Sequence, residues 1–410
     1  MLPISMQGRS KVEPVPNFSR NLRSLVDLKY LRDSQMFQLL RDCGISGGST
    51  PAQWQQRKLT TVPYAANQKL VIDLRKYETD GVFDRIIIKL TGTINTGSGS
   101  AGVATGKDNP EGLLDNAQLV VTPSAQGLVP INQVTGRTLL YDRAMEDGYV
   151  TRAAVIADGS GVVTADVEWH LVFQRRKVRN GVEHSFDIGR YTGATLNLTF
   201  GAQTDLFTGG SNAWSFANAN VEVWGIINYN VQPKYLHATE LFENVYPVLA
   251  TQASFLIDNL PNGCYYPDIV ILAEDNNVLS NAIANSFDLS SGSRSWLHNG
   301  DLNADFVQRS LTQRIYDGNS VFMTDDPNAY ATAVKITGQY ALTRLCKLQG
   351  LLTKAPDALV SQLLIRVNET FTQGHTQQLR LFGRKVVPGG VYKAPTTGKG
   401  ASASAPGSSA

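Results

Sequence analysis

Residues 193–200 read GATLNLTF, and apolar and polar side chains alternate along them. In an extended chain this alternation places the four apolar side chains on one side and the three polar ones on the other. The polar side consists of Thr and Asn, which supply no acid, no base and no activated nucleophile. The stretch therefore predicts a half-buried β-strand that forms a wall of the protein and carries no chemistry.

Similar segments recur over most of the chain after residue 59. They are rich in β-branched and other apolar residues and are separated by clusters of Gly, Pro, Asn and Asp. This pattern predicts a mainly β protein with antiparallel sheets. The predicted strands are residues 69–74, 83–94, 116–123, 165–174, 193–200, 219–231, 254–258, 268–274, 331–340, 363–371 and 377–387.

Two stretches predict helices instead. In residues 19–44 leucines recur every three residues, Ser19 can cap the first turn and Gly44 can end the helix. Residues 301–317 predict a second amphipathic helix within a long loop. The first helix carries basic residues at positions between the leucines. These residues are Arg20, Arg23, Lys29 and Arg32.

The chain contains an internal repeat. Residues 71–88 and 256–271 share an Ile-Asp, a turn with Gly, an aromatic residue, an Asp and a branched apolar run. Residues 221–227 (VEVWGII) and 379–387 (LRLFGRKVV) share a second pattern, which places Trp224 opposite Phe382. Two copies of one β-domain in series explain both matches, and we expect both aromatic residues in the structural core. The predicted parts are a basic arm (1–58), a first β-domain (59–232), a linker (233–250), a second β-domain (251–390) and a flexible tail (391–410).

Basic residues concentrate at both ends of the chain, although the net charge is only +2. Residues 1–60 and 380–410 each carry a net charge of +5, which leaves −8 for the part between them. Basic ends predict contact with lipid headgroups, nucleic acid or an acidic partner surface. Flexible, solvated tails explain the same charges equally well, and both interpretations stay open.

The cysteines and the apolar runs narrow the protein class. Three scattered cysteines form neither a disulfide framework nor a metal-binding quartet, which predicts folding in a reducing compartment. The first residues lack the apolar segment of a secretory signal. The sequence contains no run of about 18 apolar residues, so it predicts no membrane-spanning helix.

The motifs of known chemistry do not fit their surroundings. Residues 97–102 match the G-x-G-x-x-G of dinucleotide sites, but Pro110 and Gly112 follow and no helix begins there to present N–H groups to a phosphate. The five histidines lack metal-ligand spacing. Asp166 and Glu168 share a strand face, as two catalytic carboxylates of a glycoside hydrolase would, but exposed strand acids explain them equally well. We therefore expect no catalytic, cofactor-binding or metal-binding residues, and no cofactor.

Several phrases of the sequence resemble one known family. Residues 108–136 (DNPEGLLDNAQLVVTPSAQGLVPINQVTG) predict a strand pair after an Asn-Pro, and residues 195–201 with 219–231 close the first β-domain. With the tandem domains and the basic helix, these phrases resemble the double jelly-roll major capsid proteins of tailless icosahedral viruses, the lineage of tectiviruses, corticoviruses and adenoviruses. The resemblance extends over roughly residues 60–390 and the helix, and it rests on patterns rather than on catalytic residues.

The resemblance implies two tandem antiparallel eight-stranded jelly rolls, with an N-terminal amphipathic helix and a loop helix in the second copy. It implies a structural virion protein rather than an enzyme, assembled in the host cytoplasm and located in the capsid, as in a tailless bacteriophage. Pseudo-hexameric homotrimers would tile an icosahedral shell around an internal membrane. The implied partners are neighbouring capsomers, minor capsid or penton proteins and inner-membrane lipid, but no specific nucleic-acid sequence. The helix residues expected to contact the membrane are Arg20, Arg23, Lys29 and Arg32.

Two alternatives stay open beside this function. One is a glycoside hydrolase built on a β-sandwich. The other is a glycan-binding or spike protein, for which Tyr265, Tyr266 and Trp296 would be the aromatic candidates. A tight homotrimer in solution separates the capsid hypothesis from both.

Overall fold

Each predicted strand of the first half overlaps a strand of the structure. A computed structural model describes residues 54–123, 129–147, 152–173, 185–229, 240–250, 254–260, 265–291, 294–295, 302–304, 337–342 and 363–386. The strands of the first half are β1 (Gln55–Pro63), β2 (Lys69–Asp73), β3 (Val82–Asn95), β4 (Val103–Ala104), β5 (Leu114–Pro123), β6 (Val129–Val134), β7 (Val162–Val172), β8 (Phe186–Asp187), β9 (Tyr191–Phe200), β10 (Phe207–Thr208) and β11 (Ser215–Asn228).

The described residues of the second half contain ten further strands, and the helices of the described part are short. These strands are β12 (Glu240–Pro247), β13 (Ser254–Ile257), β14 (Tyr265–Asp275), β15 (Val278–Leu279), β16 (Ala284–Ser291), β17 (Arg294–Ser295), β18 (Leu302–Asn303), β19 (Gln339–Ala341), β20 (Leu363–Glu369) and β21 (Gln377–Val386). The helices are α1 (Gly136–Asp147), α2 (Gln203–Leu206) and three 3-10 turns at Leu74–Lys76, Glu111–Leu113 and Ile188–Arg190.

The first half is a β-sandwich. One sheet has the order β1-β11-β3-β7, with β8 paired to β3, and the other has the order β2-β9-β5-β6. The strand pairs within both sheets are antiparallel. The opening stretch forms most of β9, and its four apolar residues are fully buried in the core between the sheets. The alternation in the sequence therefore predicts the buried side of this strand correctly.

The second half repeats the same connectivity. Its sheets have the orders β12-β21-β14-β19 and β13-β20-β16-β17, with β18 paired to β16. In each half the last strand lies between the first strand and the third. These strands are β1-β11-β3 in the first half and β12-β21-β14 in the second. A second core, which includes Ile269, Ile271, Leu379 and Leu381, lies between these sheets. The expected tandem antiparallel jelly rolls are confirmed by this topology.

The repeated sequence patterns lie on corresponding strands. Trp224 is on β11 and Phe382 on β21, the last strand of each half, and each precedes a glycine. Ile72 on β2, which pairs with β9, and Ile257 on β13, which pairs with β20, are both buried. The local matches in the sequence therefore correspond to matching places in the two sandwiches.

A parallel strand pair joins the two halves into one continuous sheet. β6 of the first half pairs with β12 of the second through Leu241 and Phe242, and the Leu241 backbone N–H donates to Asn132 Oδ1 at 2.7 Å. β12 lies inside the predicted linker 233–250, so residues 240–247 are not a linker but the first strand of the second sandwich. The other bounds of the predicted division remain predictions.

Helix α1 is an element that the sequence patterns do not predict. The Thr135 hydroxyl accepts a hydrogen bond from the Thr138 backbone N–H at 3.3 Å, which caps the first turn. Ten of its twelve residues are buried, and they include the charged Arg137, Asp142 and Glu146. The helix is covered on nearly all sides, so it lacks the polar face by which a surface helix is recognised.

Several predicted elements lie outside the described residues. These are the helix at 19–44, most of the loop helix at 301–317, most of the strand at 331–340 and the tail at 391–410. Within the described part of the chain, no helix is long and apolar enough to cross a membrane.

Candidate functional site

The outer faces of the two sandwiches carry side chains that point away from the cores. Along β21, Leu379 and Leu381 point into the second core, so the residues between and after them point away from it. Along β11, Val221 and Val223 likewise point into the first core. The outward residues in corresponding places are Glu222, Trp224 and Ile226 on β11, and Arg380, Phe382 and Arg384 on β21.

In the second sandwich, the outer face of the sheet β12-β21-β14-β19 is buried against the first half. Phe382 is 1% exposed and packs into the first core together with Val270, Leu272 and Ala341. These four residues belong to the second half in sequence, but they complete the core of the first. The two sandwiches therefore share an apolar interface within one chain.

Arg384 connects this interface to helix α1 and β7. Its guanidinium donates to the Val172 carbonyl oxygen at 2.8 Å and forms an ion pair with the Asp142 carboxylate. Arg384 is 1% exposed and Asp142 is also buried. A buried ion pair of this kind fixes the relative position of the elements that carry it, because removing one partner leaves a buried charge behind.

A second ionic cluster lies at the junction, around Glu274 on β14. Arg137 Nη1 and Arg380 Nε lie 3.0 and 2.7 Å from Glu274 Oε1, and Arg380 also pairs with Glu243 on β12. Glu274 is fully buried, which opposes its ionisation, but the two arginines hold its pKa below the usual value. The carboxylate is therefore charged at neutral pH and ties α1 to the second sandwich.

A cavity of about 120 Å³ lies beside this cluster. Its basic groups already have acidic partners: Arg137 Nε lies 2.6 Å from Asp108, and Lys107 Nζ lies 2.9 Å from Asp205. Basic groups that are paired in this way stabilise the fold and do not form an anion-binding site. Among the described residues, no group of three or more His, Cys, Asp or Glu is placed to hold a metal ion.

In the first sandwich, the corresponding outer face, that of the sheet β1-β11-β3-β7, is partly exposed to solvent. Trp224 is only half-buried and belongs to neither core, which differs from its prediction as a core residue, whereas Phe382 is 1% exposed. The Trp224 indole N–H donates to Glu222 Oε2 at 2.9 Å, and Lys58 Nζ lies 5.6 Å from the centre of its ring. The physical reason for the difference is that the first half covers Phe382, and no described residue covers Trp224 in the same way.

Asp166 and Glu168, the two carboxylates considered as a glycosidase pair, both form salt bridges with one lysine. Lys89 Nζ lies 2.8 Å from Asp166 and 3.2 Å from Glu168. The hydrogen bond from His170 and the contact with Lys89 lower the pKa of Glu168 to about 2. A general acid of a glycosidase needs a raised pKa, and the pKa of Glu168 is lowered instead.

The structure does not place the proposed membrane contacts. Arg20, Arg23, Lys29 and Arg32 all lie outside the described residues. Their role as lipid contacts therefore remains a prediction. The sequence patterns missed the junction arginines, because Arg380 and Arg384 alternate with apolar residues and look like solvent-facing positions of a half-buried strand.

Comparison with known proteins depends on the structure alone, because no protein-family model and no curated protein matches the sequence. The crystal structure of the STIV MCP (major capsid protein) is similar at a TM-score of 0.58 and 15% identity, and the match covers 82% of this chain and 97% of that one. A chain in the atomic structure of Sulfolobus turreted icosahedral virus matches at a TM-score of 0.53 and 14% identity, covering 82% and 91%.

The major capsid protein P2 of bacteriophage PM2 is a weaker match. Its TM-score is 0.47 at 12% identity, and the match covers 81% of this chain and 97% of that one. The two stronger matches extend over both sandwiches, and the strand orders repeat in the two halves. The chain therefore has the double jelly-roll fold, which it shares with the major capsid protein of STIV.

Proposed function

We propose that this protein is the major capsid protein of a tailless icosahedral virus. It forms pseudo-hexameric homotrimers, and these tile a shell around an internal membrane. Its partners are then neighbouring capsomers, minor capsid or penton proteins and the lipid of that membrane. It acts as a structural component of the virion, assembled in the host cytoplasm, and not as an enzyme.

The observation that carries this proposal is the buried junction between the two sandwiches. Two units of the same connectivity are held side by side by a shared apolar core and by the buried ion pairs Arg384–Asp142 and Arg137–Glu274. A chain built in this way behaves as one rigid tile with two similar units. A lattice needs this property, because its contacts repeat only if each tile keeps its shape.

The proposal is tested by measuring the mass and the shape of the purified protein. Light scattering should give three times the 44.6 kDa of one chain, and negative-stain images should show particles with a pseudo-hexagonal outline. A single-chain mass at micromolar concentration would contradict the capsid function. In that case, binding to a glycan array would be the next measurement, because a monomeric sandwich fits the glycan-binding alternative.

A further inference from the structure

The two sandwiches have the same strand pairing at one end of their cores. In the first half, Phe200 on β9 lies opposite Leu114 on β5, and the register shifts directly after this pair. In the second half, Glu369 on β20 lies opposite Ala284 on β16, and the register shifts directly after that pair too. Glu369 therefore occupies the place in the second sandwich that Phe200 occupies in the first.

The backbone hydrogen bonds at the ends of these strands agree with this correspondence. The Gly201 N–H, directly after Phe200, donates to the Leu113 carbonyl oxygen at 2.8 Å. In the second half, the N–H of Thr370, the next residue of β20 after the acid, donates to the Ile283 carbonyl oxygen at the same distance of 2.8 Å. The two strand ends are thus built alike in their backbone, and the side chain is what differs.

The two side chains have very different surroundings. Phe200 is fully buried, and its ring centre lies 5.1 Å from that of Tyr64 and 5.7 Å from that of Trp169. Glu369 is only 6% exposed, yet neither of its carboxylate oxygens has a hydrogen-bond partner among the described residues. The first sandwich closes this end of its core with packed rings, whereas the second has a buried acid there.

A buried carboxylate without a partner favours its protonated form. In the ionised form its charge loses the hydration of water, and no donor or cation replaces that hydration. This burial raises the pKa of Glu369 to about 7, from an ordinary value of 4.5. When the group ionises, water must reach the carboxylate, and the end of the core has to open for this to happen.

The elements packed around Glu369 bring no compensating charge to it. Within the second core the titratable residues are Tyr266 and Tyr340, and the other core residues are apolar. Arg366 on β20 and Asp288 on β16 lie opposite each other, and each stands between two core residues, so both point out of the sandwich. Accordingly, burial is the cause that raises the pKa of Glu369.

The remaining charged groups of the neighbouring strands and loops have partners elsewhere. On β12, β14 and β21 they include the junction residues Glu243, Glu274, Arg380 and Arg384, which pair with one another or with the first half. The loop between β20 and β21 carries His375, whose Nδ1 lies 2.8 Å from Asp275. His375 is thus a second group near this end of the sandwich whose charge can depend on pH, and it needs its own control.

We propose that Glu369 is a pH-sensitive switch at this end of the second sandwich. When it is protonated, the ends of β16 and β20 close over the core, and when it is ionised, they open to water. The proposal goes beyond the proposed function and does not depend on it, because the switch is a property of a single chain. The first sandwich, with Phe200 in the corresponding place, has no such dependence.

The direction of the effect follows from the two pKa values. Between pH 4.5 and about pH 7, the closed form binds a proton at Glu369 that the open form does not. The closed form is therefore most stable below pH 4.5, loses stability as the pH rises to about 7, and stays at the lower level above that.

A bound metal ion is the competing explanation for a buried acid. Among the described residues, however, no group of three or more His, Cys, Asp or Glu is placed to hold a metal ion. A proton needs no further ligand, which favours the switch. The experiment below includes EDTA to decide between them.

The test is hydrogen–deuterium exchange of the full-length chain from pH 5 to pH 9, corrected for the intrinsic exchange rate. Protection of the segment with Thr370 should fall roughly tenfold per pH unit between pH 5 and pH 7 and then level off. The matching segment with Gly201 is the internal reference and should show no such fall. Glu369→Gln and Glu369→Met cannot ionise and should both remove the fall. His375→Gln is the control variant and should keep it.

Each outcome either supports the switch or overturns it. A wild-type segment with Thr370 that shows no more pH dependence than the one with Gly201 overturns it, and this comparison is decisive even if both Glu369 variants fail to fold. The same is true if a folded Glu369 variant keeps the fall, if His375→Gln removes it, or if EDTA alone removes the protection. The mass of the assembled protein tests the proposed function separately, so the failure of one is distinguishable from the failure of the other.

Discussion

At the scale of single residues, burial rather than chemical type decides what an aromatic side chain contributes. Phe382 and Trp224 occupy corresponding places on β21 and β11, yet Phe382 is enclosed by residues of both halves and Trp224 is not. A buried aromatic residue contributes the removal of its whole surface from water and its packing contacts. A half-buried one contributes only part of this.

We expect Phe382→Ala to lower the free energy of unfolding by about 3–5 kcal/mol, because it leaves a large cavity at the junction. Trp224→Ala should lower it by about 1 kcal/mol in the isolated chain, where it loses partial burial and the contact with Lys58. Urea denaturation of both variants, under conditions where light scattering gives the mass of a single chain, measures the difference. Equal losses would mean that Phe382 is no better covered than Trp224.

His170 on β7 is buried, and burial lowers its pKa to about 4 from an ordinary value of 6.5. Arg85 Nη1 lies 3.1 Å from its Nδ1, and Glu168 lies 3.4 Å from its Nε2. As the pH falls from 6.5 towards 4, the unfolded chain binds a proton at this residue that the folded chain does not. The stability is therefore full above pH 6.5 and decreases below it.

We expect His170→Gln to remove this part of the pH dependence. Between pH 7 and pH 5, the free energy of unfolding of the wild type should fall by on the order of 1–2 kcal/mol more than that of the variant. Urea denaturation at the two pH values measures both slopes. If the slopes are the same, His170 is protonated in the folded chain or does not titrate in this range.

At the scale of elements, helix α1 and strand β12 hold the two sandwiches together. β12 adds the second half to the first through its parallel pairing with β6. α1 adds side chains, since Asp142 binds Arg384 and Arg137 binds Glu274. The junction therefore combines backbone pairing with buried ion pairs, and these constrain both position and rotation.

We expect Arg384→Met to destabilise the protein by about 3–5 kcal/mol, because the buried Asp142 carboxylate loses its guanidinium partner. Asp142→Leu should have a similar effect for the reciprocal reason. The double variant should be much less destabilised than the sum of the two, since it leaves neither charge behind. A double-mutant cycle by urea denaturation measures the coupling, and additive effects would show that the two residues act independently.

At the scale of the whole molecule, the basic N-terminal segment is the part with a predicted role away from the sandwiches. Each Lys or Arg near an anionic membrane contributes about 1 kcal/mol of attraction, and salt weakens it. A net charge of +5 over residues 1–60 therefore predicts salt-sensitive binding to anionic lipid.

We expect deletion of residues 1–44 to leave a soluble, folded trimer that no longer floats with anionic vesicles and no longer assembles into closed shells. The matched control is a full-length variant in which Arg20, Arg23, Lys29 and Arg32 are each replaced by Gln. It should lose flotation at low salt, although the leucine spacing that predicts the helix is unchanged. Equal flotation of all forms, or of none, would remove the membrane role. Unfolding of the truncated chain would show instead that the segment is part of the core.

Much of the fold can be predicted from the sequence because strand periodicity is a local property. The alternation along β9 determines which of its residues face the core, and the repeated patterns around Trp224 and Phe382 indicate two similar domains on corresponding strands. The patterns miss β1 (QQRKLTTVP) and β16 (ANSFDLSS), where polar residues dominate. They miss β12 and α1 because the pairing with β6 and the burial of charged helix residues come from parts of the chain that are distant in sequence.

What covers an outer face was decided only by the tertiary structure. The sequences around Trp224 and Phe382 have the same alternation, so local patterns predict the same burial for both residues. Phe382 is buried because it packs into the first core. Arg384 is 1% exposed beside its partner Asp142 on α1, although its position resembles a solvent-facing one. Burial depends on which surfaces meet in space, and the sequence of one strand specifies which side chains point outward but not what they meet there.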